Sequence, residues 1–226
     1  MKALLYIVLF ELFIFRTLSS QNYYLTYELR NKTEFPNDVP PELIYKVKEI
    51  LEEKSKTIYL EKVSYKNKFI LSKIDTFYYE KGFTNPKNIR TTRADKQYFF
   101  DGNKVYFINS TIHNNAYVID REEISYQYHC DEKRVINGFE CVKVTCTFLE
   151  EHFTLWVTDN SVFHGGPNVF INFPSLVVEL SSDKKQYILK NMVQAIVTQI
   201  NDDIIEGKKI FPISKLKWDL HNELKR

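Results

Sequence analysis

His164 precedes the pair Gly165-Gly166, and a histidine on a glycine loop can serve as a general base if a second group orients it. No orienting partner is evident in the neighbouring sequence, so the residue speaks only weakly for an enzyme. Cys141, Cys146 and His152 are ligand types that zinc accepts. In FECVKVTCTF, however, strand alternation sets Cys141, Lys143, Thr145 and Thr147 on one face and Val142, Val144, Cys146 and Phe148 on the other. The two thiols point apart, and neither a metal nor another cofactor is expected. Glu122-Glu123 and Glu150-Glu151 are adjacent acids whose side chains diverge on a strand, which disfavours paired-carboxylate catalysis. The chain has no glycine-rich phosphate loop, no Gly-x-Ser-x-Gly elbow and no His-Glu-x-x-His helix. Tyr23, Tyr24, Tyr27, Tyr78, Tyr79, Tyr126 and Tyr128 suit either a stacking surface for sugars or the packing of one sheet face.

The elements that must carry these residues are mostly strands. The 226 residues include Tyr 15 and Phe 17 against Gly 6, a balance that favours pleated, half-buried surfaces. The length fits one domain with a core of its own. YYLTYELR, residues 23–30, reads as a first strand. Helical spacing of Leu43, Val47, Ile50 and Leu51 behind Pro40-Pro41 predicts a helix over Pro40 to Lys54. β-Branched and aromatic stretches follow, with hairpins predicted at Asp101-Gly102, at Asn137-Gly138 and through Glu150-Glu151. LVVELSS and KQYILKNMVQAIVTQI give the last strands, and a short helix is predicted from Lys215 to Lys225 behind Ser214. Many hairpins, one early helix and no βαβ alternation predict a mainly β fold. The expected form is a strongly curved antiparallel sheet, a half-barrel or bowl, covered by the N-terminal helix.

MKALLYIVLFELFIFRTLSS orders a lysine, an apolar run and small polar residues as a secretory signal peptide does. Residues 1–20 are therefore expected to be removed, leaving a single domain over 21–226 without a transmembrane segment. The net charge of +2 gives no basic stripe for nucleic acid. The lysine-rich run from Lys54 to Lys68, with Glu61 inside it, reads as a solvated face. Three cysteines leave at least one thiol free after export, and Cys130–Cys141 and Cys130–Cys146 pairings both stay open.

In GPNVFINFPSLVVEL, Pro167 and Pro174 fix φ and remove donors, so the chain between them is a shaped loop. It delivers Phe170, Ile171 and Phe173 against a core or a cavity before the strand that begins at Leu176. From Trp156 through Gly166-Pro167 to Leu180 the sequence resembles the GLPGLI family of exported Bacteroidetes proteins. The family hexapeptide falls on Asn172, Phe173, Pro174, Ser175, Leu176 and Val177. NGFECVKV resembles the family's Gly-aromatic-x-Cys-x-Lys hairpin at Gly138, Cys141 and Lys143. Asn172 and Ser175 replace both hexapeptide glycines; Asn172 tolerates positive φ better than Ser175 does. The resemblance implies a bacterial envelope protein, periplasmic or outer-envelope associated. The expected role is non-catalytic binding of an apolar ligand or partner segment in the bowl, through Phe170, Ile171, Phe173, Pro174 and Leu176. The alternative is an accessory module, without catalysis, for an outer-membrane transport or polysaccharide-handling system.

Overall fold

The computed structural model describes residues 22–83, 96–109, 114–120, 124–195, 197, 200 and 202–216. The signal segment and most of the predicted C-terminal helix lie outside them. β1 (Tyr23–Asn31) is followed by a 3-10 turn at Pro41–Leu43 and by helix α1 (Ile44–Lys56). Then come β2 (Thr57–Lys66), β3 (Phe69–Tyr79), β4 (Lys96–Phe100), β5 (Val105–Asn109), β6 (Asn115–Ile119), β7 (Ser125–Ile136), β8 (Phe139–Phe148) and β9 (Glu151–Thr158). β10 (Leu176–Ser182), β11 (Lys185–Gln194) and β12 (Lys209–Pro212) complete a single open sheet. Its order is β12-β6-β5-β4-β3-β2-β1-β11-β10-β9-β8-β7.

Every neighbouring pair is antiparallel except β6 and β12, which run parallel. β12 was not anticipated, since KIFP offers only four residues and no alternation long enough to read. Asn137 and Gly138 both take positive φ, as a two-residue hairpin demands. The β4–β5 connection is longer than expected. Asp101 Oδ1 accepts the backbone N–H groups of Asn103 (2.7 Å) and Lys104 (2.8 Å), and this side-chain turn draws four residues into the loop. The β8–β9 turn sits one residue earlier than predicted, on Leu149 and Glu150, which adopt φ 49° and 66°.

Alternation divides the sheet into two faces. On the inner face Leu25, Tyr27, Val63, Ile70, Phe107 and Tyr117 join Val144, Leu155 and Leu180 in one core. On the other face Leu71, Phe99, Tyr106, Ile108 and Ala116 pack with Val197 and Ile200. The covering elements differ from the expectation. α1 buries only Glu53 and leaves Tyr45 largely exposed. The inner face is covered instead by the segment between β9 and β10, Gly165–Ser175, termed the plug below. Its two ends are cinched together, with Gly165 N–H donating to Ser175 O (3.0 Å) and Val177 N–H donating to Gly165 O (2.9 Å).

Candidate functional site

Phe170, Ile171 and Phe173 are almost completely buried on the plug, and Leu176 follows them into the core as β10 begins. Phe170 meets Phe153 edge-on at 5.4 Å, and Phe173 meets Tyr126 at 5.3 Å. These contacts make the plug a core-closing corner. Of the expected ligand set, Pro174 alone is exposed. The chain holds no cis peptide among the described residues, so Phe173-Pro174 is trans.

Polar side chains of the sheet latch this segment by its backbone. Tyr27 Oη donates to Val177 O (2.7 Å), and Tyr65 Oη donates to Ile171 O (3.0 Å). Glu61 Oε1 accepts the N–H of Asn168 (2.8 Å) and the hydroxyl of Ser72. Asn168 Nδ2 reaches Tyr187 Oη at 3.5 Å. A carbonyl buried without such a donor would cost about 1–3 kcal/mol, so the tyrosines make the loop's burial tenable. Glu61 corrects the sequence reading: it is 6% exposed and does not belong to a solvated face. The available signal was its phase with Tyr59, Val63 and Tyr65, an acid on an apolar alternating face.

Glycine matters at the plug's entrance. Gly165 has φ +87°, and a Cβ there would strike the Tyr65 hydroxyl and the Ile171 carbonyl; at Gly166 it would lie 2.6 Å from Val177 Cγ2. Asn168 holds the positive φ (61°) inside the loop, whereas Asn172 and Ser175 do not. The hexapeptide glycines are thus replaced where no left-handed backbone is required.

Cavities flank the plug. At one end of the strands, Tyr23, Tyr65, Ile70, Phe100, Phe163 and His164 line a cleft of about 240 Å³ that Lys68 borders. Tyr23 and Tyr65 stack at 4.1 Å, and Phe163 meets Tyr23 edge-on at 4.9 Å. His164 Nδ1 lies 3.4 Å from Tyr23 Oη. Partial burial holds the imidazole below its ordinary 6.5, and burial pushes the Tyr23 phenol up despite its bond to the His164 backbone. Both groups are therefore neutral at pH 7, and each can donate or accept a hydrogen bond in the cleft. At the other strand ends, a polar pocket of about 150 Å³ lies over Glu61 and Ser72. A third pocket, about 110 Å³, is formed by Val105, Ile119, Ile124 and Tyr126 against Asn172, Phe173 and Pro174.

Of the remaining motif residues, Lys143 and Trp156 sit on the opposite face. Lys143 pairs across strands with Trp156, and Trp156 with Glu179. Arg134, the partner of Cys141, lies 4.3 Å over the Trp156 ring and bonds Glu179 at 2.5 Å. Gly138 serves the hairpin turn, and Pro167 leads into the plug's 3-10 turn, Asn168–Phe170. All three cysteines are free thiols; Cys130 is exposed, and Cys141 and Cys146 are buried. Burial pushes the Cys146 thiol up to about 12, which makes it inert. His152 bonds Thr147 at 2.9 Å, and no cluster of His, Cys, Asp or Glu among the described residues could hold a metal ion.

No protein-family model and no curated protein matches the chain. Among solved structures it is similar to PNGF-II in two crystal forms, both with TM-score 0.51 and 13% identity. The matches cover 89% and 88% of this chain but only 33% of PNGF-II; the chain spans about a third of that protein's length. A DUF1329 family protein from Desulfovibrio piger overlaps over 83% of this chain and 90% of its own, at 9% identity and a TM-score of 0.32. At such identities the PNGF-II likeness concerns the fold alone.

Proposed function

We propose that the chain is an exported, non-catalytic binding module of the GLPGLI type, with its sheet curled as a half-barrel around the plug. The small pocket beside Pro174 supports the curl. Val105 and Ile119 come from β5 and β6, Tyr126 from β7 at the far edge of the strand order, and all three line the pocket against the same loop. Because the plug occupies the inner face, the ligand's place is the cleft beside His164. The observation that carries this reading is its wall of stacked Tyr23 and Tyr65 with Phe163. Such a wall receives one apolar or aromatic group of a small ligand or of a partner segment. The neutral imidazole supplies a directional hydrogen bond.

The test is native mass spectrometry on residues 21–226, purified without detergent from an envelope fraction of the producing cell. An extra mass, released by organic solvent and lost in the Phe163→Ala variant, is the expected result. A clean ligand-free mass from that preparation would overturn the reading.

A second reading, the accessory module, is favoured by a different observation. A comparable fold occupies a third of PNGF-II, so this architecture occurs as one part of a larger protein. Exposed Tyr126 and Tyr128 on β7 supply an aromatic rim for such docking. Cross-linking to an outer-membrane partner, abolished by Tyr128→Ala and untouched by Phe163→Ala, would select this reading.

A further inference from the structure

The geometry points to a second binding site, the polar pocket over Glu61, which takes one saccharide unit. The site stands apart from the His164 cleft. Tyr23 lines one and Leu29 the other, and six residues of strand separate them by about 20 Å.

The lining determines the ligand class. Glu61 is an acceptor, Lys96 and Lys185 are donors, and the Tyr98 and Tyr187 hydroxyls serve as either. An apolar ligand would strip water from these polar groups and return no hydrogen bond. A metal ion would face two ammonium groups and a single lining carboxylate. A simple anion would meet Glu61, with Glu151 close enough to raise the Tyr98 pKa alongside burial and Glu61. A neutral polyol satisfies the whole set, because each of its hydroxyls both donates and accepts. Saccharides are such polyols, and a pocket with space for about five waters seats part of one pyranose ring.

Preorganisation supports the assignment. Ser72 and the Asn168 backbone fix Glu61 Oε1 from two sides, and burial raises the Tyr98 pKa far enough to keep the phenol protonated. Glu61, Lys96, Lys185 and Tyr187 all hold further contacts in the ligand-free chain. Binding therefore exchanges partners within an existing network. Asn168 lines the pocket while its backbone belongs to the plug, so occupancy also tightens the plug.

The test is an amide-resolved NMR titration of residues 21–226 with D-glucose, D-galactose and N-acetyl-D-glucosamine, and with acetate and glycine as ionic controls. At least one sugar is expected to shift the amides of Asn168 and Tyr187 at millimolar concentration. The Lys96→Gln/Lys185→Gln double variant changes side chains at the pocket mouth and should keep the fold; it should weaken binding about tenfold or more. Phe163→Ala should leave sugar binding unchanged, which separates this site from the His164 cleft. The proposal is overturned if no sugar shifts those amides, if acetate or glycine reproduces the shifts, or if the double variant binds as the parent does.

Discussion

At Gly165 an added methyl group would meet the Tyr65 hydroxyl and the carbonyl of Ile171, on a backbone already at φ +87°. Neither obstacle can retreat, because each is the other's hydrogen-bond partner. Gly165→Ala is therefore expected to lower stability by about 2–4 kcal/mol, read as an earlier urea midpoint with unchanged slope. Restoring the hexapeptide glycine with Ser175→Gly should act in the opposite sense to a family-based guess. With φ ordinary there, the added backbone freedom costs about 0.5–1 kcal/mol. His164 gives a pH-dependent prediction. Its folded pKa lies below the ordinary 6.5, so the unfolded chain binds the proton more readily. The contribution is fully present above pH 6.5 and is lost as pH falls through the folded value. His164→Gln should flatten the stability profile in that window, as measured by urea titrations at stepped pH; an unchanged slope would contradict the assignment. The special backbone of the plug was legible as two prolines with glycine before them. Glu61 was not, because its neighbouring lysines suggested solvent while its strand phase, the decisive signal, pointed inward.

Two kinds of interaction hold the plug as an element, and their magnitudes differ. Phe170 is buried among Phe153, Phe173 and Tyr126, and removing its ring leaves a cavity. Phe170→Ala should cost about 3–5 kcal/mol. Tyr65→Phe keeps the ring stacked on Tyr23 but leaves the Ile171 carbonyl unpaired, at about 1–3 kcal/mol. If the plug were a mobile gate over a cavity, Phe170→Ala would barely move the urea midpoint; a loss near the upper figure identifies it as core. The hairpins show what was readable at this scale. Asn137-Gly138 has a turn chemistry that sequence expresses directly. The Asp101 loop depends on a side chain capturing two backbone amides, and β12 depends on a parallel partner distant in sequence. α1 was predicted correctly as a helix, yet its role as cover was not borne out. A helical stripe reports that a face is apolar, whereas coverage depends on what competes for the sheet, and here the plug occupies it.

An open sheet leaves two edges, and the molecule defends both. β12 is short, ends in Pro212 and stacks Lys215 over Phe211 at 3.4 Å. β7 is the longer hazard, with twelve residues and no strand beyond it among the described residues. Its pairing with β8 slips between His129 and Lys133; the bulge leaves Asp131 exposed on the edge and turns Glu132 back to Lys143 Nζ at 2.8 Å. Lys133 and Arg134 continue the charged run up to Val135, which is 69% exposed. Arg134 is further held by Glu179 and Trp156, so this end of the edge is charged and restrained. The exposed aromatic half, Tyr126 and Tyr128, lies on the other side of the bulge. Replacing both Lys133 and Arg134 by valine would join Val135 and Ile136 in an uncharged run with high strand propensity. The variant should remain folded by circular dichroism, because the substituted side chains lie outside the core. It should nonetheless associate with rising concentration in light scattering, while Tyr128→Ala stays monodisperse. If the valine variant stayed as dispersed as the parent, protection of this edge would rest on the bulge geometry alone, and straightening the bulge by deleting Cys130, Asp131 and Glu132, the three residues without a partner on β8, would become the change that releases association.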